Sequence, residues 1–185
     1  MIDPGLARRV RLVALDVDGT LTDGGVYIGA VQGQAVELKR FDIQDGLGIA
    51  LLRIAGLAVA IVTGRTSDAA RLRAQELQVE EYVTDPDGRK LPGFEAVLAR
   101  RGIAWDQVAF LGDDLPDVPL LRRAGLPVAV ANAVPEAKAL ARHTTAAAGG
   151  RGAVREFVQA LLTARGEWEG AVRDYLRERG DSVAG

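Results

Sequence analysis

The sequence predicts an α/β fold, namely a Rossmann-like parallel sheet covered by helices on both faces. Short apolar runs alternate with segments of helical periodicity between residues 12 and 142, which is the pattern of parallel strands joined by helical crossovers. Polar motifs follow several of the apolar runs, and open α/β sheets bind ligands at the carboxyl ends of their strands. A length of 185 residues is expected to form one domain spanning 1–185.

The apolar runs predict five core strands, at 12–16, 58–63, 82–84, 108–112 and 127–130. Helical spacing between them predicts helices at 46–54, 66–77, 91–101, 117–123 and 135–142. After a glycine-rich turn, 154–162 has an amphipathic pattern. We therefore expect 150–185 to form a C-terminal helix and a charged tail, with frayed residues at 180–185.

One segment interrupts this alternation. Strand-like residues at 25–28 and 36–41 flank a turn-prone stretch, so 25–41 is predicted to be a β-hairpin inserted between the first strand and the first helix. A hairpin alone is marginally stable in water. It is expected to pack either on another copy of the chain, forming a homo-oligomer, or back on its own sheet.

Composition excludes several functional classes. The net charge of −2 gives no indication of nucleic-acid binding. The absence of cysteine excludes disulfides, thiol nucleophiles and thiolate metal sites. The apolar runs are too short to span a bilayer, and no charged segment precedes an apolar signal core. We expect a cytoplasmic protein with neither a nucleic acid nor a membrane as partner.

Two aspartates directly follow the first apolar run. Asp16 and Asp18 lie two residues apart, so their side chains project to the same side if the extended geometry continues. Such close charges repel unless a cation, most simply Mg²⁺, lies between them. Gly19 then allows the backbone to turn and approach a bound anion. The alternative is a polar turn in which the aspartates only cap hydrogen bonds.

Further candidate residues follow other predicted strands. Thr63, Gly64 and Arg65 offer a hydroxyl and backbone amides near a helix start, which together could cradle an anion. A threonine that merely caps the next helix is the alternative. Lys90 follows a turn and could neutralise both the acids and a phosphate, although an isolated lysine is usually solvated.

A second acidic cluster follows the strand predicted at 108–112. It contains Asp113, Asp114 and Asp117. Asp113 could complete the oxygen shell of the metal. The alternative is a solvated helix start, where aspartate is favoured by the helix dipole. Three aspartates within five residues exceed what capping requires.

In order and context, these residues resemble the haloacid dehalogenase superfamily of phosphotransferases. The matching positions are 16–20, Thr63, Lys90 and 112–114. The resemblance implies that Asp16 attacks phosphorus and forms an aspartyl-phosphate. It also implies that Asp18 protonates the leaving alkoxide and then activates water.

The same resemblance implies a metal and a phosphate site. Mg²⁺ would be bound by Asp16, the Asp18 carbonyl and Asp113, while Thr63 and Lys90 would hold phosphoryl oxygens.

Two supporting roles also follow from the resemblance. Asp117 would orient Lys90 or the metal shell, with Asp114 beside it.

The chain closely resembles a capless group of this superfamily, the 3-deoxy-D-manno-octulosonate 8-phosphate phosphatases. The likeness covers almost the whole chain, through 21–24, 41–49, 63–65, 112–117 and 149–156. It implies a homotetramer whose hairpins join into a central barrel and whose sites are completed by a neighbouring subunit. It also implies Mg²⁺-dependent hydrolysis of an eight-carbon sugar acid phosphate that supplies a lipopolysaccharide precursor.

Two arginines bear on the substrate. The guanidinium of Arg65 suits the carboxylate of an ulosonic acid, unless the side chain is exposed and idle. Arg151, in the glycine-rich turn, could reach an anionic substrate, or the turn could be a hinge. Asp85 and Pro86 replace the Gln-Gly usual in the family, which would alter specificity if that loop touches substrate.

The sequence leaves two other functions open. One is a phosphatase for a nine-carbon ulosonic acid phosphate or another small phosphometabolite. The other is a non-catalytic oligomerisation module, which would not require the intact acidic and basic set. His143 is expected to be a strand or surface residue, and Trp105 and Trp168 are expected to be packing residues.

Overall fold

The structure contains eight strands in two separate sheets among residues 1–181. It is a computed structural model that describes residues 1–181, so 182–185 of the predicted frayed end lie outside the described residues. The strands are β1 Leu12–Leu15, β2 Tyr27–Val31, β3 Gln34–Leu38, β4 Ala58–Thr63, β5 Glu81–Thr84, β6 Val108–Gly112, β7 Leu126–Ala129 and β8 His143–Thr144. Six form a parallel sheet in the order β5-β4-β1-β6-β7-β8, and β2 pairs with β3. The five predicted core strands are confirmed, and β8 adds an edge strand that contains His143.

Eight α-helices accompany the sheets in the described part of the chain. They are α1 Pro4–Arg9, α2 Ile43–Ile54, α3 Asp68–Glu76, α4 Lys90–Arg101, α5 Val118–Leu121, α6 Pro135–Leu140, α7 Ala153–Arg165 and α8 Trp168–Glu178. Side-chain caps explain some differences from the predicted bounds. Helix α2 begins early because Asp42 accepts a hydrogen bond from the Gln44 amide (2.8 Å), and α3 begins after Ser67, whose hydroxyl accepts from the Ala70 amide (3.4 Å).

Helices cover both faces of the central sheet, as predicted. Successive side chains of β1 point to opposite faces. Val13 and Leu15 join the cluster that includes α2 and α7, whereas Leu12 and Ala14 join the cluster that includes α4, α5 and α6. All four are fully buried, as expected of a central parallel strand. Trp105 packs edge-on against Phe94 with ring centroids 5.4 Å apart, so its predicted packing role is confirmed.

The central position of β1 fixes where functional groups can meet. It pairs with β4 and β6 in parallel, and Leu15 lies beside Ile61 and Leu111. The carboxyl ends of the three strands therefore lie side by side. The residues that follow them converge at a single edge of the sheet.

The predicted hairpin is present, with narrower bounds than expected. β2 and β3 are antiparallel and joined by Gln32 and Gly33, which both have positive φ (51° and 79°), as a tight two-residue hairpin turn requires. The hairpin forms its own sheet, with a bridge between Thr22 and Phe41 at its base. Its apolar side chains are largely exposed, with Ile28 at 77%.

Among residues 1–181, no helix combines the length and the apolar character needed to cross a membrane.

Candidate active site

The loop after β1 carries the predicted nucleophile. Asp16 is buried, and its amide donates to the carbonyl of Leu111 in the neighbouring strand (3.0 Å). The following residues, Val17–Leu21, form an irregular helical turn. Thr22 closes this turn, because its amide (2.9 Å) and its hydroxyl (3.0 Å) both donate to the carbonyl of Val17. These bonds fix the backbone on either side of Asp18.

Gly19 allows Asp113 to pack directly on this loop. Its φ is +99°, and a Cβ built there would lie 2.1 Å from Oδ2 of Asp113. Any side chain at this position would displace the carboxylate. The Thr20 hydroxyl donates to Oδ1 of Asp113 (3.2 Å). The two acidic motifs predicted from the sequence therefore meet.

Lys90 is buried between two carboxylates. Its Nζ lies 2.5 Å from Oδ1 of Asp16 and 2.7 Å from Oδ1 of Asp117. Oδ2 of Asp117 accepts from the amides of Asp113 (2.9 Å) and Asp114 (3.3 Å). Asp117 thus contacts Lys90 directly, which is the geometry that its predicted orienting role would need.

Three carboxylates outnumber this one cation. Burial and the charge of Asp117 raise the pKa of Asp16 well above its usual range, despite the opposing effect of Lys90. Burial and Asp117 also raise the pKa of Asp113 to about 6. Burial opposes the charge on Lys90, but Asp16 and Asp117 outweigh it and raise its pKa. The cluster therefore carries excess negative charge that a further cation would relieve.

The donor set fits a divalent metal ion. Oxygen atoms of Asp16, Asp113 and Asp117 all lie within 4.8 Å of one another. The oxygens of Asp117 already accept hydrogen bonds from Lys90 and from two backbone amides. Asp16 and Asp113 are thus the side chains best placed to bind the ion, and an all-oxygen set suits Mg²⁺.

A cavity of about 220 Å³ opens above these groups. Its lining residues are Asp16, Asp18, Gly64, Arg65, Gly88, Lys90, Asp113, Asp114, Pro116 and Asp117. A Cβ on Gly64 would lie 3.1 Å from Cα of Gly88, so glycine at 64 allows the loop before α4 to close over the site. The divergent pair Asp85 and Pro86 lies in this loop but outside the lining.

Thr63 and Arg65 lie at the same edge of the sheet. Thr63 is buried, and its hydroxyl accepts from the Arg65 amide (3.2 Å), so it does cap the following turn. Arg65 is not idle. Its Nη2 lies 2.9 Å from Oε1 of Glu37, and its Nη1 lies 3.8 Å from Oδ1 of Asp18.

The two remaining candidates have different positions. Asp114 lines the cavity, and its Oδ1 accepts from the Leu115 amide (2.7 Å). Arg151 is exposed, and its Nη2 lies 3.9 Å from Oδ2 of Asp23. The structure does not place Arg151 among the lining residues of the cavity.

Sequence reasoning missed two charged residues of the hairpin. The fully buried side chain of Lys39 contacts Oδ1 of Asp18, and its Nζ lies 3.4 Å from Oε1 of Glu37. Burial opposes ionisation of Glu37, but Ser67, Lys39 and Arg65 outweigh it and lower the pKa of Glu37. Only their two-residue spacing, which puts both on one side of a strand, could have suggested a shared role.

Sequence reasoning also missed the support of the nucleophile loop by Asn132. Its Nδ2 donates to the carbonyl of Gly19 (3.0 Å), and its Oδ1 accepts from the amide of Gly149 (2.7 Å). A Cβ on Gly149 would lie 1.8 Å from the Gly19 oxygen. Gly149 and Gly150 therefore allow close packing against the loop after β1, which explains part of the glycine-rich pattern.

Comparisons with known proteins agree with this geometry. The model of the haloacid dehalogenase-like hydrolase family matches residues 83–157. The 3-deoxy-D-manno-octulosonate 8-phosphate phosphatase KdsC of Escherichia coli K12 is 41% identical over 165 residues, covering 89% of this chain and 86% of the relative.

Solved structures show the same likeness. That of the 3-deoxy-D-manno-octulosonate 8-phosphate phosphatase from Moraxella catarrhalis, in complex with magnesium, phosphate and KDO, is 33% identical with a TM-score of 0.86, covering 93% of this chain and 97% of that one. The cobalt-bound deoxy-D-mannose-octulosonate 8-phosphate phosphatase of Haemophilus influenzae is 32% identical with a TM-score of 0.81, covering 89% and 94%. With these relatives and this site, the chain belongs to the 3-deoxy-D-manno-octulosonate 8-phosphate phosphatase family of haloacid dehalogenase-like hydrolases.

Proposed function

We propose that this protein is a Mg²⁺-dependent phosphatase that hydrolyses 3-deoxy-D-manno-octulosonate 8-phosphate to the free sugar acid and inorganic phosphate, a step in lipopolysaccharide precursor synthesis. One observation carries the proposal: Asp16 is held by Lys90 at the floor of a cavity, beside Asp113. The E. coli relative bears the name of this phosphatase, and the M. catarrhalis structure contains magnesium, phosphate and the sugar acid.

The reaction proceeds through Asp16. Its carboxylate attacks phosphorus as the bond to the ester oxygen breaks, and Asp18 gives a proton to the leaving alkoxide. Asp18 then accepts a proton from water, whose oxygen attacks the aspartyl-phosphate, releasing inorganic phosphate and restoring Asp16. Lys90 and Thr63 hold the phosphoryl oxygens, and Asp117 keeps Lys90 in place.

The metal would be held by Asp16, the Asp18 carbonyl and Asp113. When bound, it supplies positive charge that offsets the repulsion between the anionic nucleophile and the anionic phosphate. The raised pKa values of Asp16 and Asp113 support this assignment, because burial and then the charge of Asp117 raise them, and a bound cation would counteract both effects.

Arg65 recognises the carboxylate of the sugar acid in this proposal. It lines the cavity and presents a planar fork. Its Nη2 is engaged by Glu37 at 2.9 Å, so the substrate meets a guanidinium that is already oriented.

The decisive experiment measures phosphate release from the eight-carbon substrate and its nine-carbon analogue, with Mg²⁺ present or chelated. We expect strong, Mg²⁺-dependent preference for the eight-carbon compound. Preference for the nine-carbon compound would change the substrate assignment. Activity on neither, nor on other small phosphate esters, would favour a non-catalytic oligomerisation module.

We further propose that one domain, 1–185, assembles as a homotetramer through the hairpin in the cytoplasm. Exposed apolar side chains on both strands support assembly, including Tyr27, Ile28, Val31 and Leu38. The absence of cysteine fits a reducing compartment.

A further inference from the structure

We propose that Lys39 and Glu37 are positioning residues for the reaction, so that the hairpin sets the geometry of the catalytic site in its own subunit. Lys39 fixes the carboxylate of Asp18, and Glu37 fixes the guanidinium of Arg65. This inference rests on the proposed phosphatase function and assigns the hairpin a role inside the site.

The alternation of side chains along the hairpin makes this role possible. Glu37 and Lys39 are two residues apart, so they project to the same side. Leu38, between them, projects to the other side and is 63% exposed, next to its cross-strand partner Tyr27 at 52%. One short segment thus offers charged groups to the catalytic loop and apolar groups to the outside.

Lys39 is the residue of the hairpin that most clearly belongs to the interior. Its side chain is 0% exposed, while β2 beside it is exposed along its whole length. Burying an ammonium is costly unless a partner compensates its charge. Here Asp18 is that partner, with Glu37 at 3.4 Å as a second.

The contact orients one particular oxygen of Asp18. Lys39 and Arg65 both approach Oδ1. Oδ2 is then the oxygen left free to face the ester oxygen of the substrate. A carboxylate free to rotate would point this oxygen in several directions and would meet the ester oxygen less often.

Glu37 holds the guanidinium of Arg65 in the same way. Its Oε1 lies 2.9 Å from Nη2 of Arg65 and 3.4 Å from Nζ of Lys39. Together with Asp18, these residues form a chain of two cations and two anions. Each of the two functional groups is thus held by a neighbour of opposite charge.

Lys39→Met tests the first half of the proposal, because methionine keeps an apolar stem and removes the ammonium. For 3-deoxy-D-manno-octulosonate 8-phosphate, we expect kcat to fall about 10- to 100-fold with a much smaller change in KM, as for a misplaced acid–base group. Lys39→Arg restores a cation and should recover most of kcat. Lys138→Met, an exposed lysine on α6, is the matched control and should behave as the unchanged protein.

Glu37→Gln tests the second half. Freed from its partner, Arg65 should bind the sugar-acid carboxylate less well, raising KM about 10-fold for the sugar acid phosphate. KM for p-nitrophenyl phosphate, which lacks a carboxylate, should not change. Glu136→Gln, at an exposed position of α6, is the control.

Unchanged kcat in Lys39→Met, or an equal rise of KM for both esters in Glu37→Gln, would overturn the proposal. Should Lys39→Met fail to fold by circular dichroism, Lys39→Arg and Glu37→Gln still decide. Phosphate release by the unchanged protein, absent in Asp16→Asn, tests the underlying phosphatase function separately.

Discussion

Nζ of Lys90 lies 2.5 Å from Oδ1 of Asp16, and both side chains are buried. The proposed nucleophile is therefore half of an ion pair that is also structural, since Asp117 shares the same ammonium at 2.7 Å. Removing the lysine should leave two buried carboxylates without their cation.

Lys90→Met is accordingly expected to lower the free energy of unfolding at neutral pH by about 3 kcal/mol, the typical cost of breaking a buried ion pair. Urea unfolding followed by circular dichroism measures this. Lys138→Met, which removes an exposed lysine, should change stability little. Equal stability of the two variants would contradict the structural role of Lys90.

Asp16→Asn should abolish turnover and leave the fold intact. The amide cannot attack phosphorus as a carboxylate does. The neutral amide also avoids the burial cost and the repulsion from Asp117 that raise the pKa of Asp16, and Lys90 keeps Asp117 as a partner at 2.7 Å, so stability should not fall. Phosphate release and thermal unfolding of the same preparation are the measurements. Retained turnover in a correctly folded variant would exclude the covalent route.

Metal binding should weaken as the pH falls through about 6. Asp113 has a pKa of about 6, and that of Asp16 is also raised, so protons compete with Mg²⁺ for these oxygens. Calorimetric titration with MgCl₂ should show affinity falling about tenfold per pH unit below that point when one proton is displaced. Affinity independent of pH would argue against these ligands.

Asp45 should make stability depend on pH. Its Oδ1 accepts from the Arg155 amide (2.8 Å), whereas its buried Oδ2 has no hydrogen-bond partner among residues 1–181. Burial raises the pKa of this carboxyl to about 6 from an ordinary value of 3.8. The folded state therefore binds more protons between these values, and stability falls as pH rises through this window.

Asp45→Asn should remove that dependence. Relative to the unchanged protein, the variant should gain about 1–3 kcal/mol of unfolding free energy between about pH 4 and about pH 7. Urea unfolding at both pH values measures the gain. Asp106→Asn, at an exposed position, should show no such trend, and a trend of equal size there would refute the role of Asp45.

The hairpin should control assembly. Ile28→Lys and Val31→Lys place charges on side chains that are 77% and 62% exposed in the single chain. If these strands form the subunit interface, light scattering should report a lower mass for both variants. Leu72→Lys, on α3 at 57% exposure, should keep the native mass. No change in either hairpin variant would exclude the proposed interface.

The convergence of Asp16, Asp113 and Lys90 could be predicted from the sequence. Each follows or adjoins the carboxyl end of a strand, and parallel strands bring those ends to one edge whatever their order. The chemistry of these residues and the parallel direction of the strands are enough to predict that they meet. The starts of α2 and α3 differ from the predicted ones by three and two residues, because capping by Asp42 and Ser67 decides them.

The contacts of Lys39, Glu37 and Asn132 could not be predicted. They depend on how the hairpin and the loop after β7 approach the site. The spacing of residues along the sequence carries no information about that approach. A single lysine or asparagine carries no signal of a partner far away in the chain. The role of Arg151 as a substrate contact stays a prediction, and its Nη2 lies 3.9 Å from Oδ2 of Asp23.

The packing of Gly149 against Gly19 joins residues separated by most of the chain. During synthesis on the ribosome, β1 and its aspartates emerge early, but their loop lacks this support until residues beyond 149 have left the exit tunnel. Domains fold as units when their distant contacts become available. We therefore expect the loop after β1 to reach its supported conformation only once Gly149 is outside the tunnel.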